Sequence, residues 1–140
     1  MSNPLFHLAI PVKDLKSSEL FYAKLGRIAR RTPVSLIVDF FGHQLVLHHS
    51  PEHCAISRSM YPRHFGLVFK DKTEFANAYQ WCKISNLEFF TDIDKPGFIR
   101  FEGKPEEHQT FFIVDPSNNL IEFKVYVNEE WIFAPAGVVK

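Results

Sequence analysis

Pro62-Arg63-His64-Phe65-Gly66-Leu67-Val68-Phe69-Lys70-Asp71 restates a stretch that the chain has already used, Leu5-Phe6-His7-Leu8-Ala9-Ile10-Pro11-Val12-Lys13-Asp14. A shift of 57 positions lays His64 on His7, Lys70 on Lys13 and Asp71 on Asp14, and it carries on to place Leu67 on Ile10, Phe69 on Val12 and Tyr79 on Tyr22. Repetition at a fixed offset constrains the whole architecture. The chain therefore reads as two copies of one unit, with a histidine at the same place in each.

At 140 residues the natural expectation is one compact domain, long enough to bury a core without disulfides. Two repeats inside that length are two half-domains. Sixteen basic and sixteen acidic residues cancel, so no charge surplus points to nucleic acid or to a membrane surface. Small neutral ligands remain open. Cys54 and Cys82 fall in no paired or metal-type spacing, which suits a reducing, cytoplasmic compartment. The N-terminus lacks a basic region followed by an apolar core, and no apolar run approaches the roughly 18 residues a membrane span requires. Fifteen phenylalanines, most in strand-like runs, predict sheets lined with aromatics.

Phe6 to Val12 reads as a strand, Asp14 as the cap of a helix from Leu15 to Leu25 with Leu15, Leu20, Phe21 and Leu25 on its apolar side, and Gly26 as its stop. Strand-like runs follow at Val34 to Phe41 and Gln44 to His49, joined at Gly42-His43, with a short extra strand near Ile28 to Arg31. Module one spans about 4–50, and 51–63, with its prolines and serines, is a linker. Module two spans about 64–127. It opens with a strand at His64 to Phe69, and Asp71 caps a helix from Thr73 to about Ser85 whose stripe is Phe75, Ala78, Tyr79 and Cys82. Strands at Leu87 to Phe90, Gly97 to Phe101 and Thr110 to Val114 precede the turn Asp115-Pro116-Ser117-Asn118-Asn119 and a last strand, Leu120 to Val127. The tail, 128–140, holds Trp131, Ile132 and Phe133 and is too apolar to hang free in water.

Alternation sorts the strand residues onto two faces. His7, Ala9 and Pro11 share one, as do His64, Gly66 and Val68, and Glu122, Lys124 and Tyr126; the partners of each set are apolar and want the helices. His7, His64 and Glu122 are the most ligand-like members of the polar faces. Two imidazoles and a carboxylate that leave positions open are what a non-haem Fe(II) or similar divalent site requires. Phe111 and Phe112 are expected on opposite faces. Tyr22 and Tyr79 read as core, and the histidines at 43, 48, 49 and 53 as a solvated edge, because alternation separates His48 from His49 and a hairpin exposes His43.

The His-Leu-Ala-Ile-Pro-Val run, Phe21-Tyr22 to Leu25-Gly26, the second His-Phe-Gly-Leu-Val and the closing Asp115-Pro-Ser-Asn-Asn-Leu-Ile-Glu122-Phe together resemble the vicinal oxygen chelate superfamily: glyoxalase I, bleomycin-resistance proteins and extradiol dioxygenases. The resemblance covers roughly residues 5–127. It implies an α+β fold of two βαβββ modules forming a concave mixed sheet, a metal held by His7, His64 and Glu122, and dimers among the relatives. Glyoxalase I adds a fourth ligand on the last strand of module one. Alignment with the Glu122 strand puts Val46 there, which cannot ligate, and Gln44 and His48, one strand pair away on the same face, stay open as a fourth ligand. Extradiol dioxygenases are similar in using three ligands, but they carry a Tyr about ten residues before the ligand Glu, where this chain has Phe112.

The expected function is a metal-dependent enzyme acting on a small oxygen-bearing substrate, dioxygenase-like first and a glyoxalase-type lyase or isomerase second. A non-catalytic drug- or metabolite-binding protein of the resistance type is the reading from another class. The expected metal is Fe(II), with Zn, Ni and Mn as alternatives. His48 and Tyr126 are the catalytic candidates, and Gln44, Phe112 and Lys124 the substrate-binding ones. Lys124 is also read as an ion-pair neighbour of Glu122. The apolar tail and the curved sheet predict a homodimer.

Overall fold

The computed structural model describes residues 3–59, 62–90 and 98–137. The start of the strand expected at Gly97, the middle of the linker at residues 60–61 and the tail's last residues, 138–140, lie outside them. The chain divides into two compact units, residues 1–58 with 115–119, and residues 59–114 with 120–140.

The first unit runs β1 (His7–Val12), α1 (Leu15–Tyr22), β2 (Arg27–Arg31), β3 (Ser35–Phe40) and β4 (His43–His49), with sheet order β1-β4-β3-β2. β1 lies parallel to β4 and the other pairs are antiparallel. The extra strand is therefore real and completes a βαβββ module. Asp14 caps α1, its carboxylate accepting from Ser17 N at 2.8 Å, because the first turn leaves N–H groups without helical partners. The helix ends at Tyr22 rather than Leu25. The buried stripe is Ser18, Phe21, Tyr22 and Leu25, while Leu20, expected inside, stands 65% exposed. Serine at 18 buries instead by donating its hydroxyl to Asp14 O at 2.7 Å. Phe41 and Gly42 both take positive φ, the two-residue hairpin that matches strand twist, so the turn falls one residue before the expected one.

The second unit runs β5 (Phe65–Phe69), α2 (Lys72–Ile84), β6 (Glu88–Phe89), β7 (Ile99–Arg100), β8 (His108–Val114) and β9 (Leu120–Tyr126), with order β5-β9-β8-β6 and β7 also on β8. Asp71 caps α2 through Thr73 N at 2.7 Å, which is the repeat of the Asp14 cap. β6 and β7 are two short pieces along one edge of β8: the first pairs with Ile113 and Val114, the second with His108 and Gln109. The helix-facing side carries the aromatics. Phe111 stands between Phe75, Tyr79, Phe89 and Phe123 at centroid separations of 5.2–5.7 Å. Phe112 faces the other way, packed with Val114 and Leu120 against Phe90 and Phe98. The burial of Cys82 on the inner face of α2 pushes its thiol up to about 12, which leaves it an inert core residue.

The turn Asp115–Asn119 groups with the first unit, and its hydrogen bonds explain why. The buried Asp115 carboxylate accepts from Tyr22 OH, Asn119 Nδ2 and the Ser117 and Asn119 amides, all at 2.8 Å. Ser117 Oγ accepts from Lys13 N at 2.8 Å, and Asn119 Nδ2 and Asn118 Nδ2 donate to the carbonyls of Pro11 and Ala55, each at 3.0 Å. Tyr22 is core, as its place in a helix implied. Burial, then the Asp115 charge, raises its phenol far above the usual range. No helix among the described residues is long and apolar enough to cross a membrane.

Removing the hub strands a buried phenol, the buried Ser117 amide and the part-buried Asn119 amide, each costing about 1–3 kcal/mol. Asp115→Ala is therefore expected to lower unfolding free energy by at least about 3 kcal/mol in urea denaturation. A loss below about 1 kcal/mol would mean the turn does not depend on this carboxylate.

Candidate functional site

In the second unit the β8/β9 register sets three pairs on the face away from α2: Phe112 opposite Glu122, Thr110 opposite Lys124, and His108 opposite Tyr126. The intervening residues Ile121, Phe123 and Val125 are buried on the helix side, so the alternation read from sequence holds. Gly66 is the β5 partner of Glu122, and a β-carbon there would overlap the Glu122 carbonyl. Glycine is thus required for β5 to lie this close to the strand that carries the carboxylate.

His64, just before β5, and Glu122 come together, with Nε2 3.2 Å from Oε1. Their side chains are 27% and 14% exposed, sheltered yet reachable. The His64 ring meets the edge of buried Phe112 at 5.3 Å between centroids. Thr110, almost wholly buried, donates its hydroxyl to Glu122 Oε2 at 2.6 Å. Among the described residues Lys124 forms no ion pair with Glu122, contrary to expectation. Its ammonium lies instead over the Tyr126 ring, 5.5 Å from the centroid, while Thr110 holds the carboxylate.

In the first unit His7 Nδ1 lies 2.7 Å from Gln44 Oε1. An amide oxygen only accepts, so Nδ1 carries a proton, and in the neutral ring that is the tautomer whose Nε2 lone pair a metal needs. The strand registers are equivalent in the two units: Ala9 pairs with Val46 where Gly66 pairs with Glu122. Val46 therefore occupies the place of Glu122, as alignment implied, and Gln44 is engaged with His7. His48 shares that face, beside Pro11 and Ser35, and is exposed. His43 is half-buried rather than exposed, because its Nδ1 accepts from Phe6 N at 3.2 Å. Within each unit, among the described residues, no three His, Cys, Asp or Glu side chains gather as a metal-holding group.

Two residues of this face escaped the sequence reading, Thr110 and His108. The signal was available: counting back by twos from Phe112 along β8 reaches both. His108 is buried against Tyr126, ring centroids 4.7 Å apart, and its Nδ1 donates to Glu106 O at 3.1 Å. Burial pulls its pKa below the ordinary value.

No family model matches the sequence, and comparison with curated proteins found no match. A solved structure does: a glyoxalase/bleomycin resistance protein/dioxygenase from Alicyclobacillus acidocaldarius is 45% identical over 93% of this chain and 96% of its own, with a TM-score of 0.85. The chain belongs to the glyoxalase/bleomycin resistance protein/dioxygenase family. This places it in the vicinal oxygen chelate superfamily and agrees with the two βαβββ units described above. The fosfomycin resistance protein FosX from Listeria monocytogenes, solved with Mn(II) and sulfate, shares the fold at TM-score 0.67 and 18% identity over 95% of this chain and 98% of its own. FosX from Mesorhizobium loti does so at TM-score 0.62 and 13% identity, over 94% and 99%.

His108 gives this face a pH signature. Its folded pKa lies below the unfolded value of about 6.5, so the unfolded chain binds more protons between the two values. The histidine's effect is nil above about pH 6.5 and destabilising as pH falls below it. His108→Gln is expected to flatten the decline in stability between pH 6.5 and 5 in denaturation curves. An unchanged slope would show that His108 is not buried neutral.

Proposed function

We propose that this family member is a cytosolic metal-dependent enzyme in which His7, His64 and Glu122 bind one divalent ion, and a small oxygen-bearing substrate chelates its remaining positions. The His64–Glu122 approach carries the reading: a sheltered imidazole and carboxylate at 3.2 Å, on the open face of a family fold, suit an N/O donor set for a first-row divalent metal. His7, at the equivalent place in the repeat and with Nε2 unprotonated, supplies the third donor. FosX bound to Mn(II) supports a divalent ion in this superfamily. Fe(II) is favoured here because two histidines and one carboxylate form the facial set of non-haem iron oxygenases.

A bound ion would polarise the substrate's oxygens as a Lewis acid. The chain's own residues would do the rest. Phe112 closes the space beneath His64 to water, and Lys124, half-buried and without a carboxylate partner among the described residues, offers a cation to a substrate oxygen. Tyr126 and His48 are the candidates for moving a proton, and Gln44 holds His7 rather than serving as a ligand. Val46 at the place of Glu122 favours a three-ligand, dioxygenase-like reaction over the glyoxalase type. Retention of the His64–Glu122 pair favours catalysis over simple sequestration of a drug or metabolite. A homodimer completes the proposal, with the tail as part of its interface, since Phe133 is 93% exposed.

Protein purified without chelator and reconstituted anaerobically with Fe(II) is expected to hold close to one ion per chain. His64→Ala should lower metal content at least about tenfold with circular dichroism unchanged. Wild-type protein that takes up no metal defeats the enzyme reading, and a fully loaded His64→Ala defeats the ligand assignment. Light scattering tests the dimer: deletion of 128–140 should yield a monomer, and a wild-type monomer ends the idea.

A further inference from the structure

We infer that Thr110 is a positioning residue that restricts Glu122 to ligation through one oxygen and so keeps a coordination position open for substrate. The inference rests on the proposed metal site and goes beyond it. A carboxylate has two oxygens, and either one or both can bind an ion. Here they are not equivalent. Oε2 accepts the Thr110 hydroxyl at 2.6 Å, a short bond typical of a hydroxyl donating to a carboxylate, whereas Oε1 is the atom turned to His64 Nε2 at 3.2 Å.

Three features make the restriction firm. Thr110 is almost wholly buried, so solvent has little access to compete for its hydroxyl. It lies on β8 directly opposite Lys124, two residue pairs from the Phe112–Glu122 pair and on the same face, in a continuous antiparallel ladder that fixes its distance from the carboxylate. β-Branching further stiffens the side chain about χ1. Turning Oε2 toward an ion would break this bond and leave a buried hydroxyl without an acceptor.

The chemical consequence concerns coordination. A six-coordinate ion held by two imidazoles and one carboxylate oxygen would have three positions left, enough for both oxygens of a chelating substrate and one further small ligand. A carboxylate bound through both oxygens would take one of those places. In this chain the residue that keeps it open is a threonine on the strand next to the ligand, two positions along that strand from the ligand's own cross-strand partner.

Mn(II) serves as the probe. Its dissociation constant is read by electron paramagnetic resonance titration and its inner-sphere water from water-proton relaxation. Thr110→Val preserves shape and removes the donor, and Thr110→Ser restores it. The expected result is that Thr110→Val binds Mn(II) at least as tightly as wild type but with about one fewer inner-sphere water, while Thr110→Ser keeps the wild-type water. Thr110→Ala repeats the test with the side chain shortened. A Thr110→Val protein with the wild-type water count overturns the inference, as does one that loses Mn(II) while the serine variant keeps it. Wild-type protein that binds no Mn(II) instead removes the metal site itself, a failure distinct from either.

Discussion

The buried carboxylate of Asp115 is the constraint from which the site-bearing strand takes its start. It accepts four hydrogen bonds, two from backbone amides of its own turn, one from Asn119's side chain and one from Tyr22 on α1. Buried polar groups must be paired, so this carboxylate leaves the turn little alternative geometry. β9 begins at Leu120, immediately after the turn, and Glu122 is its third residue. A shift of one residue in that turn would send Glu122 to the helix side and Ile121 to the open face. The most recognisable motif in the chain is thus first a folding device, and the candidate ligand Glu122 inherits its position from it.

The same division of labour appears on each sheet. The helix-facing sides are close-packed and apolar, with Phe111 among four aromatic neighbours in the second unit and Leu36, Val38, Leu45 and Leu47 buried in the first. That packing fixes the pleat. The open faces are then free to carry groups chosen for chemistry, and these are held by neighbours: Gln44 sets the His7 tautomer and Thr110 binds one oxygen of Glu122. A strand-borne side chain supported by a cross-strand partner is better oriented than one on a loop, because the ladder determines the distance between them.

Much of this was legible in the residues. The 57-residue shift pairs two Asp caps that both proved to be caps, and the separate alignment of the Val46 strand with the Glu122 strand puts Val46 in Glu122's place, as the two strand registers bear out. Leu20 misled because helical periodicity near it admits two stripes, and the buried one runs through Ser18, a small polar residue that hydropathy discounts. His43 misled because a turn histidine looks solvated until its Nδ1 is seen to accept from Phe6.

The sequence by itself determined the two-fold architecture, the caps, the turns and the face on which each candidate ligand stands, since these depend on local periodicity and on residues' intrinsic backbone preferences. Only the tertiary structure decided which side chains are partners. Thr110 rather than Lys124 meets Glu122, Gln44 meets His7, and His108 is buried against Tyr126. Those pairings join residues 12 to 37 positions apart in the chain. They depend on cross-strand register and on rotamers that packing selects, which no local pattern encodes.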